Sequence, residues 1–253
     1  MTKVYYIMHS SFMVELEDRY LLFDYFDKSV VADVVEYRGG LPALSKEKKL
    51  YIFASHSHKD HWWLKLLDFA SDRENVHFIL SKDIRLGSGF LVRSGYDLSI
   101  KKKMTRVSPL HKYQVDDMEI ETLRSTDAGV AYWVKVNGLS IYHAGDLNWW
   151  NPEGRGELYG EQYGREYRRA LRPLENKHID IAFVVLDARM GEDGYFLGMD
   201  YFIKHMECDN IFPMHMWGDY SWIDRFKSRP DIANLKEKVV DIDRENMIFE
   251  IED

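Results

Sequence analysis

The apolar run at residues 50–54 passes without a spacer into Ser55-His56-Ser57-His58-Lys59-Asp60-His61. A short run of this kind reads as a strand buried on both faces. Its end nevertheless carries three imidazoles and a carboxylate within six residues. A chain with this junction has to bury the strand while leaving its C-terminal end open, and α/β sheets place sites at such strand ends.

Ten of the 253 residues are histidine. Three of them in one fixed His-x-His-x-x-His spacing arise by chance in roughly one or two such chains per hundred. His56 and His58 lie two apart, so extended backbone puts them on one side. Asp60 and His61 then project from the turn that follows. The set serves one cation or two adjacent ones, and neutral imidazole with carboxylate suits zinc first, with manganese or iron as alternatives. The competing reading is a polar loop of solvated histidines. Three other segments end in the same way: Asp24 after residues 20–23, Gly145-Asp146 after Ile141-Tyr142-His143, and His215 after Ile211-Phe212-Pro213-Met214. Singly, each reads as a turn, a cap or a structural histidine; their joint occurrence with the cluster points to a metal.

The remainder of the chain alternates strand and helix signals. Strands are predicted at 4–8, 12–16, 20–26, 50–54, 76–80, 104–107, 118–123, 130–136, 139–143, 179–186, 211–214 and 247–251. Helices are predicted at 30–37, 82–91, 165–174, 197–206 and 222–226, with an amphipathic segment at 62–70. Residues 151–164, rich in glycine and charge, read as a loop. Asn137-Gly138 is a strong hairpin signal. No repeat or linker interrupts the pattern, so the expectation is one layered α/β domain over residues 1–253.

Composition narrows the function. The chain carries 34 basic and 42 acidic residues, a net charge of −8, which disfavours nucleic acid because phosphate neutralisation needs clustered cations. Lys101-Lys102-Lys103 reads as a solvated loop. No apolar stretch of about 18 residues exists to cross a bilayer, and no signal peptide is recognised, so no membrane partner and a cytoplasmic home are expected. Cys208 is the single cysteine. It excludes an intrachain disulfide and a thiolate-built zinc site, and it falls in an expected helix end. Gly87-Ser88-Gly89 lacks the features of a phosphate loop, and no Ser-His-Asp triad is supported.

Together, Asp24, His56/His58/Asp60/His61, Gly145-Asp146 and His215 resemble the ordered signatures of the metallo-β-lactamase superfamily of metal-dependent hydrolases. His9-Ser10-Ser11-Phe12, Tyr142-His143-Ala144-Gly145-Asp146 and Pro213-Met214-His215 look closest to its ascorbate-6-phosphate lactonase-like bacterial branch. The resemblance implies a four-layer αββα sandwich of two mixed sheets. It also implies one or two divalent ions, the first held by His56, His58 and Asp146, the second by Asp60, His61, Asp146 and His215. The family's third histidine is missing from Arg124-Ser125-Thr126-Asp127-Ala128-Gly129, so Asp127 or a water takes that place. Asp24 is expected behind the ligands, orienting an imidazole. His143 and His111 fall in the right interval without matching the ligand position, and His143 is expected to support the site.

The chemistry implied is hydrolysis of a small ester, lactone or phosphoester by metal-activated water, with His58 and Asp60 catalytic and Asp60 accepting a proton. Trp149, Trp150 and Trp217, in expected loops, are candidates for lining a substrate pocket. Trp62 and Trp63 are expected to pack in a helix. His9 either approaches the site or is structural. Arg189 either binds an anionic group of the substrate or lies on the surface. Two alternatives stay open. One is a metal-binding protein with lost or regulatory activity. The other is a di-iron oxidoreductase, disfavoured because those relatives usually carry a carboxylate where this chain has His58. A homo-oligomer is left open.

Overall fold

The computed structural model describes residues 1–251. In chain order the strands are β1 (Thr2–Met8), β2 (Ser11–Glu15), β3 (Arg19–Phe23), β4 (Lys49–Ala54), β5 (Val76–Ser81), β6 (Met104–Val107), β7 (Lys112–Val115), β8 (Met118–Arg124), β9 (Val130–Val136), β10 (Leu139–His143), β11 (His178–Val185), β12 (Glu207–Met214) and β13 (Met247–Ile251). The α-helices are α1 (Phe69–Asp72), α2 (Ser88–Arg93), α3 (Glu157–Leu171), α4 (Leu197–His205) and α5 (Ser221–Lys227). None of the helices among the described residues is long and apolar enough to cross a membrane.

The chain forms two compact units, Met1–Ser108 with the terminal segment from Glu245, and Pro109–Arg244. Each is built on one mixed sheet with helices. The first unit's sheet has the order β13-β1-β2-β3-β4-β5-β6. Its β13-β1-β2-β3 part is antiparallel and β3 to β6 are parallel. Two antiparallel steps make β1 and β3 co-directional, and β4 joins them. The residues that follow these three strands, His9, Asp24 and Ser55-His56, therefore emerge at one sheet edge. The second unit's order is β12-β11-β10-β9-β8-β7, antiparallel from β7 to β10 and parallel from β10 to β12. By the same count β8, β10, β11 and β12 run together. Asp127, Asp146, Asp187 and His215 follow them at one edge.

The strands β3, β4, β10, β11 and β12 are buried along their C-terminal stretches, as their apolar runs require. Leu21, Leu22, Phe23, Ile52, Phe53, Ala54, Ile141, Ile181 and Ile211 are all fully enclosed. The Asn137-Gly138 hairpin forms as read: both residues have positive φ, and Val136 pairs with Leu139.

Several expectations are corrected. The helix expected at 30–37 is a single 3-10 turn, Lys28–Val31. The helix expected at 82–91 reduces to α2. Trp62 and Trp63 lie outside any helix, half-buried. Strand β7 carried too short an alternation to be recognised. Cys208 sits in β12, not at a helix end.

Residues 151–164 are no simple loop, since α3 starts at Glu157. The reason lies in packing. Gly160 and Gly164 are one helical turn apart, and a Cβ at either would meet Asn151 Oδ1 at 2.3 Å or Trp149 Cε2 at 2.4 Å. Glycines that lower helix propensity are here demanded by side chains pressed against the helix. Gly164→Ala is therefore expected to destabilise by about 1–3 kcal/mol through overpacking, a fall in Tm of roughly 5 °C, readable by calorimetry. An unchanged or raised Tm would refute this contact.

Cys208 is 1% exposed, and burial pushes its thiol up to about 12. At pH 8 only on the order of one thiol in ten thousand is ionised in the fold, against roughly a quarter in the unfolded chain. Ellman's reagent should react with it at the rate of unfolding, and promptly in guanidinium. Prompt labelling of the folded protein would contradict this burial.

Candidate metal centre

In the first unit, Asp24 organises the strand-end cluster. It is fully buried and adopts a positive φ of 44°. Its N–H extends the β3–β4 ladder to the Phe53 carbonyl at 3.0 Å. Its carboxylate accepts from the Ser55 N–H at 2.7 Å, the Ser55 hydroxyl at 2.6 Å and His61 Nδ1 at 2.7 Å. Counting protons then sets the tautomers. Ser55 gives its only hydroxyl proton to Asp24, so at 2.8 Å it must accept from His56 Nδ1. His56 and His61 thus both carry their proton on Nδ1 and present Nε2. One carboxylate orients two imidazoles, one directly and one through a hydroxyl.

His56 Nε2 meets His58 Nδ1 at 2.9 Å. Two ring nitrogens at that separation share either a proton or a cation. With metal–nitrogen bonds of about 2.0–2.1 Å, neighbours in one shell lie ~2.9–3.4 Å apart. His58 is exposed while His56 and His61 are buried. The turn is closed by the His61 and Trp62 N–H groups on the His58 carbonyl, and Asp83 accepts from the Ser57 N–H at 2.8 Å.

His9, Asp60 and His61 also offer ligand atoms within 4.8 Å of one another. His9 is fully buried at φ 51°, with Nε2 3.4 Å from Asp60 Oδ2 and Nδ1 3.0 Å from the Tyr37 hydroxyl. His9 thus stands beside Asp60 and His61 among the atoms that could share a cation.

The second unit repeats this logic. His215 follows β12 at φ 66°, and its Nδ1 lies 3.0 Å from Asp187 Oδ2. Burial alone would raise the Asp187 carboxyl, but hydrogen bonds from His215 and Arg189 outweigh it and hold the group well below the usual carboxylate range. Asp187 is therefore an acceptor, and His215 presents Nε2, 3.4 Å from Asp146 Oδ1. Asp146 is 5% exposed, and Gly145 (φ 53°) turns the chain into it. His143 accepts the Gly145 N–H on Nδ1 at 3.1 Å, so it braces this turn. Asp127 is exposed, beside Asp146, with carboxylate oxygens of the two within 4.8 Å. His111 sits on the surface, bonded to the Pro109 carbonyl.

Three of these strand ends, His9, Asp24 and His215, hold non-glycine residues in left-handed backbone, each costing about 1–3 kcal/mol. The buried hydrogen bonds at the turns offset that strain.

The tryptophans divide. Trp149 donates to the Gly160 carbonyl at 2.8 Å and lies under Arg168, so it is committed to α3. Trp150 donates to the Asp146 carbonyl at 3.2 Å, with its ring 6.0 Å from His215. Trp217 stands 5.6 Å from His215 at a near-perpendicular angle. Arg189 grips Asp187 through Nε and Nη2 and stacks 4.5 Å over Trp217, so its charge is already engaged.

Sequence reasoning missed Asp187, Ser55 and Tyr37. Asp187 had the same signal as Asp24, a carboxylate just after a buried strand. Ser55 and Tyr37 gave none. The donor set of imidazoles and carboxylates fits a divalent cation, since two of the first unit's imidazoles have their outer protons fixed and a pair of nitrogens already converges.

Comparison with known proteins identifies the family and the fold. The family described as beta-lactamase superfamily domain matches residues 3–154. No curated protein matches the chain. Among solved structures, Igni18, a metallo hydrolase from Ignicoccus hospitalis, is 17% identical with a TM-score of 0.56, covering 99% of each chain. The metallo-β-lactamase fold protein YhfI from Bacillus subtilis is 13% identical with a TM-score of 0.58, covering 99% of this chain and 100% of its own. CmlA, a di-iron β-hydroxylase from Streptomyces venezuelae, is 13% identical with a TM-score of 0.57, covering 98% of this chain and 54% of its own. At these identities the likeness is one of fold: two mixed sheets flanked by helices, as in the metallo-β-lactamase fold.

Proposed function

The chain belongs to the beta-lactamase superfamily, and on that footing we propose that it is a metal-dependent hydrolase of a small ester, lactone or phosphoester. The observation that carries the reading is the His56 Nε2–His58 Nδ1 convergence at 2.9 Å, backed by the proton-ordered Ser55–Asp24 pair. His56 and His58 would hold a divalent ion, zinc by preference, with manganese or iron as alternatives. Membership of the same centre by Asp60, His61, Asp127, Asp146 and His215 rests on the family pattern. The closeness to the ascorbate-6-phosphate lactonase-like branch likewise rests on the short phrases quoted above.

A bound divalent ion would acidify a water and polarise the oxygen of the scissile group. The chain's own residues do the rest. Asp24 and Asp187 keep the imidazole protons on Nδ1, which leaves each Nε2 lone pair free to bind. Asp60, 3.4 Å from His9 Nε2, would serve as the proton acceptor. Trp150 and Trp217, edge-on to His215, offer an apolar wall for the substrate's body.

Elemental analysis followed by a panel of lactones, phosphodiesters and carboxylic esters tests the proposal. Zinc or manganese near stoichiometric amounts, with turnover of one panel member, is the expected result. Metal without any turnover would favour the regulatory alternative. Iron with a visible charge-transfer band and no hydrolysis would favour the oxidoreductase.

A further inference from the structure

The second unit contains a cleft of about 370 Å³ between the turn after β8 and helix α3. Its polar wall is made by Arg124, Ser125 and Thr126 on one side and by Glu166 and Arg169 on the other. None of these residues belongs to the proposed metal centre.

The two arginines distinguish this cleft. Several other guanidinium groups of the second unit are engaged: Arg189 by Asp187, Arg229 by Asp200 and Asp231, Arg168 by Trp149. Among the described residues, neither Arg124 nor Arg169 has a carboxylate within 4.0 Å. The one acid in the wall, Glu166, accepts instead from Gln162 at 3.1 Å. The lining therefore carries two cationic forks against one anion. Ser125 accepts the Asp127 N–H at 3.1 Å, which leaves its hydroxyl proton to give. Thr126 ties the same turn to the Asn148 carbonyl at 2.6 Å, so the wall is braced. Leu110, 61% exposed, and Ala170 complete an apolar side.

We propose that this cleft binds a small molecule in which a phosphoryl group is carried on an apolar or aromatic body. A guanidinium is a planar fork suited to oxyanions, and a tetrahedral oxyanion has enough oxygens to accept from two forks and a hydroxyl at once. The apolar side takes the body. In a chain of net charge −8, two unneutralised arginines on one cleft give the ligand a local attraction that the overall charge withholds.

Calorimetric titration of the whole protein with phenyl phosphate tests this, with inorganic phosphate, benzoate and benzyl alcohol as comparisons. In the cleft, phenyl phosphate should saturate and bind more tightly than inorganic phosphate or benzoate; benzyl alcohol should not bind. Arg124→Gln and Arg169→Gln should each weaken binding roughly five- to tenfold, and Glu166→Gln should tighten it. All three positions are exposed, so circular dichroism should show the variants folded. Phenyl phosphate is itself a phosphoester, so the titrations are repeated in the His58→Ala background, where the proposed metal centre is disabled; saturation that depends on the two arginines should persist there. The proposal is overturned if no saturable binding occurs, if the arginine variants bind like wild type, or if His58→Ala abolishes binding while they retain it. Equal binding of benzoate would replace the phosphoryl ligand by a carboxylate and overturn that part of it.

Discussion

Asp24→Ala should unfold at a temperature roughly 10 °C below wild type and should lose at least tenfold in metal affinity. Both effects come from one geometry. The Asp24 carboxylate takes three donors in a fully buried space: the Ser55 N–H, the Ser55 hydroxyl and His61 Nδ1. Truncation leaves them without an acceptor, and each orphaned donor costs about 1–3 kcal/mol. A total of ~3–5 kcal/mol corresponds to that loss of Tm in a chain of this size. Released from their anchor, the His56 and His61 rings can change tautomer and orientation, and lost support of this kind weakens metal binding about 10–100-fold. Asp24→Asn separates the two effects. It preserves volume and one acceptor, so it should recover part of the stability while still misdirecting one of the two protons. Thermal melts and metal titration read both quantities. An Asp24→Ala protein that melts within about 2 °C of wild type, with undiminished metal binding, would remove Asp24 from the account.

His58→Ala should behave in the opposite manner. His58 is exposed, so its removal should change stability by no more than about 0.5 kcal/mol. Its Nδ1 is nevertheless half of the nitrogen pair that would hold the ion. Loss of that ligand should empty the site at micromolar metal and reduce kcat/KM on the order of a thousandfold, the equivalent of about 4 kcal/mol of lost electrophilic assistance. Elemental analysis gives a reading independent of turnover. A His58→Ala protein that holds its full metal and turns over like wild type would end the assignment.

Much of the candidate centre was legible because it uses residue types that packing alone does not place together. Apolar runs ending in His or Asp mark strand ends whatever the topology, and that reading singled out Asp24, the 56–61 cluster, Asp146 and His215 as candidates. The same signal marks Asp187, which follows its strand in the same way and was not recognised. Ser55 and Tyr37 were beyond reach. A hydroxyl is an ordinary residue in a turn, and only the positions of its two neighbours reveal that it relays one proton order from Asp24 to His56. Gly160 and Gly164 misled for a related reason: the signal that breaks an isolated helix is the same signal that lets a tryptophan and an asparagine press against one.

By itself, then, the order of residues determined which side chains could bind a cation and that each would stand where a buried strand ends, because hydrophobic periodicity and donor chemistry are local properties. Tertiary structure decided which strands run in the same direction, hence which strand ends share an edge, and it decided which ring nitrogen of each histidine bears the hydrogen. Those outcomes depend on neighbours distant in sequence, such as Asp24 against His61 and Asp187 against His215, and no local pattern encodes them.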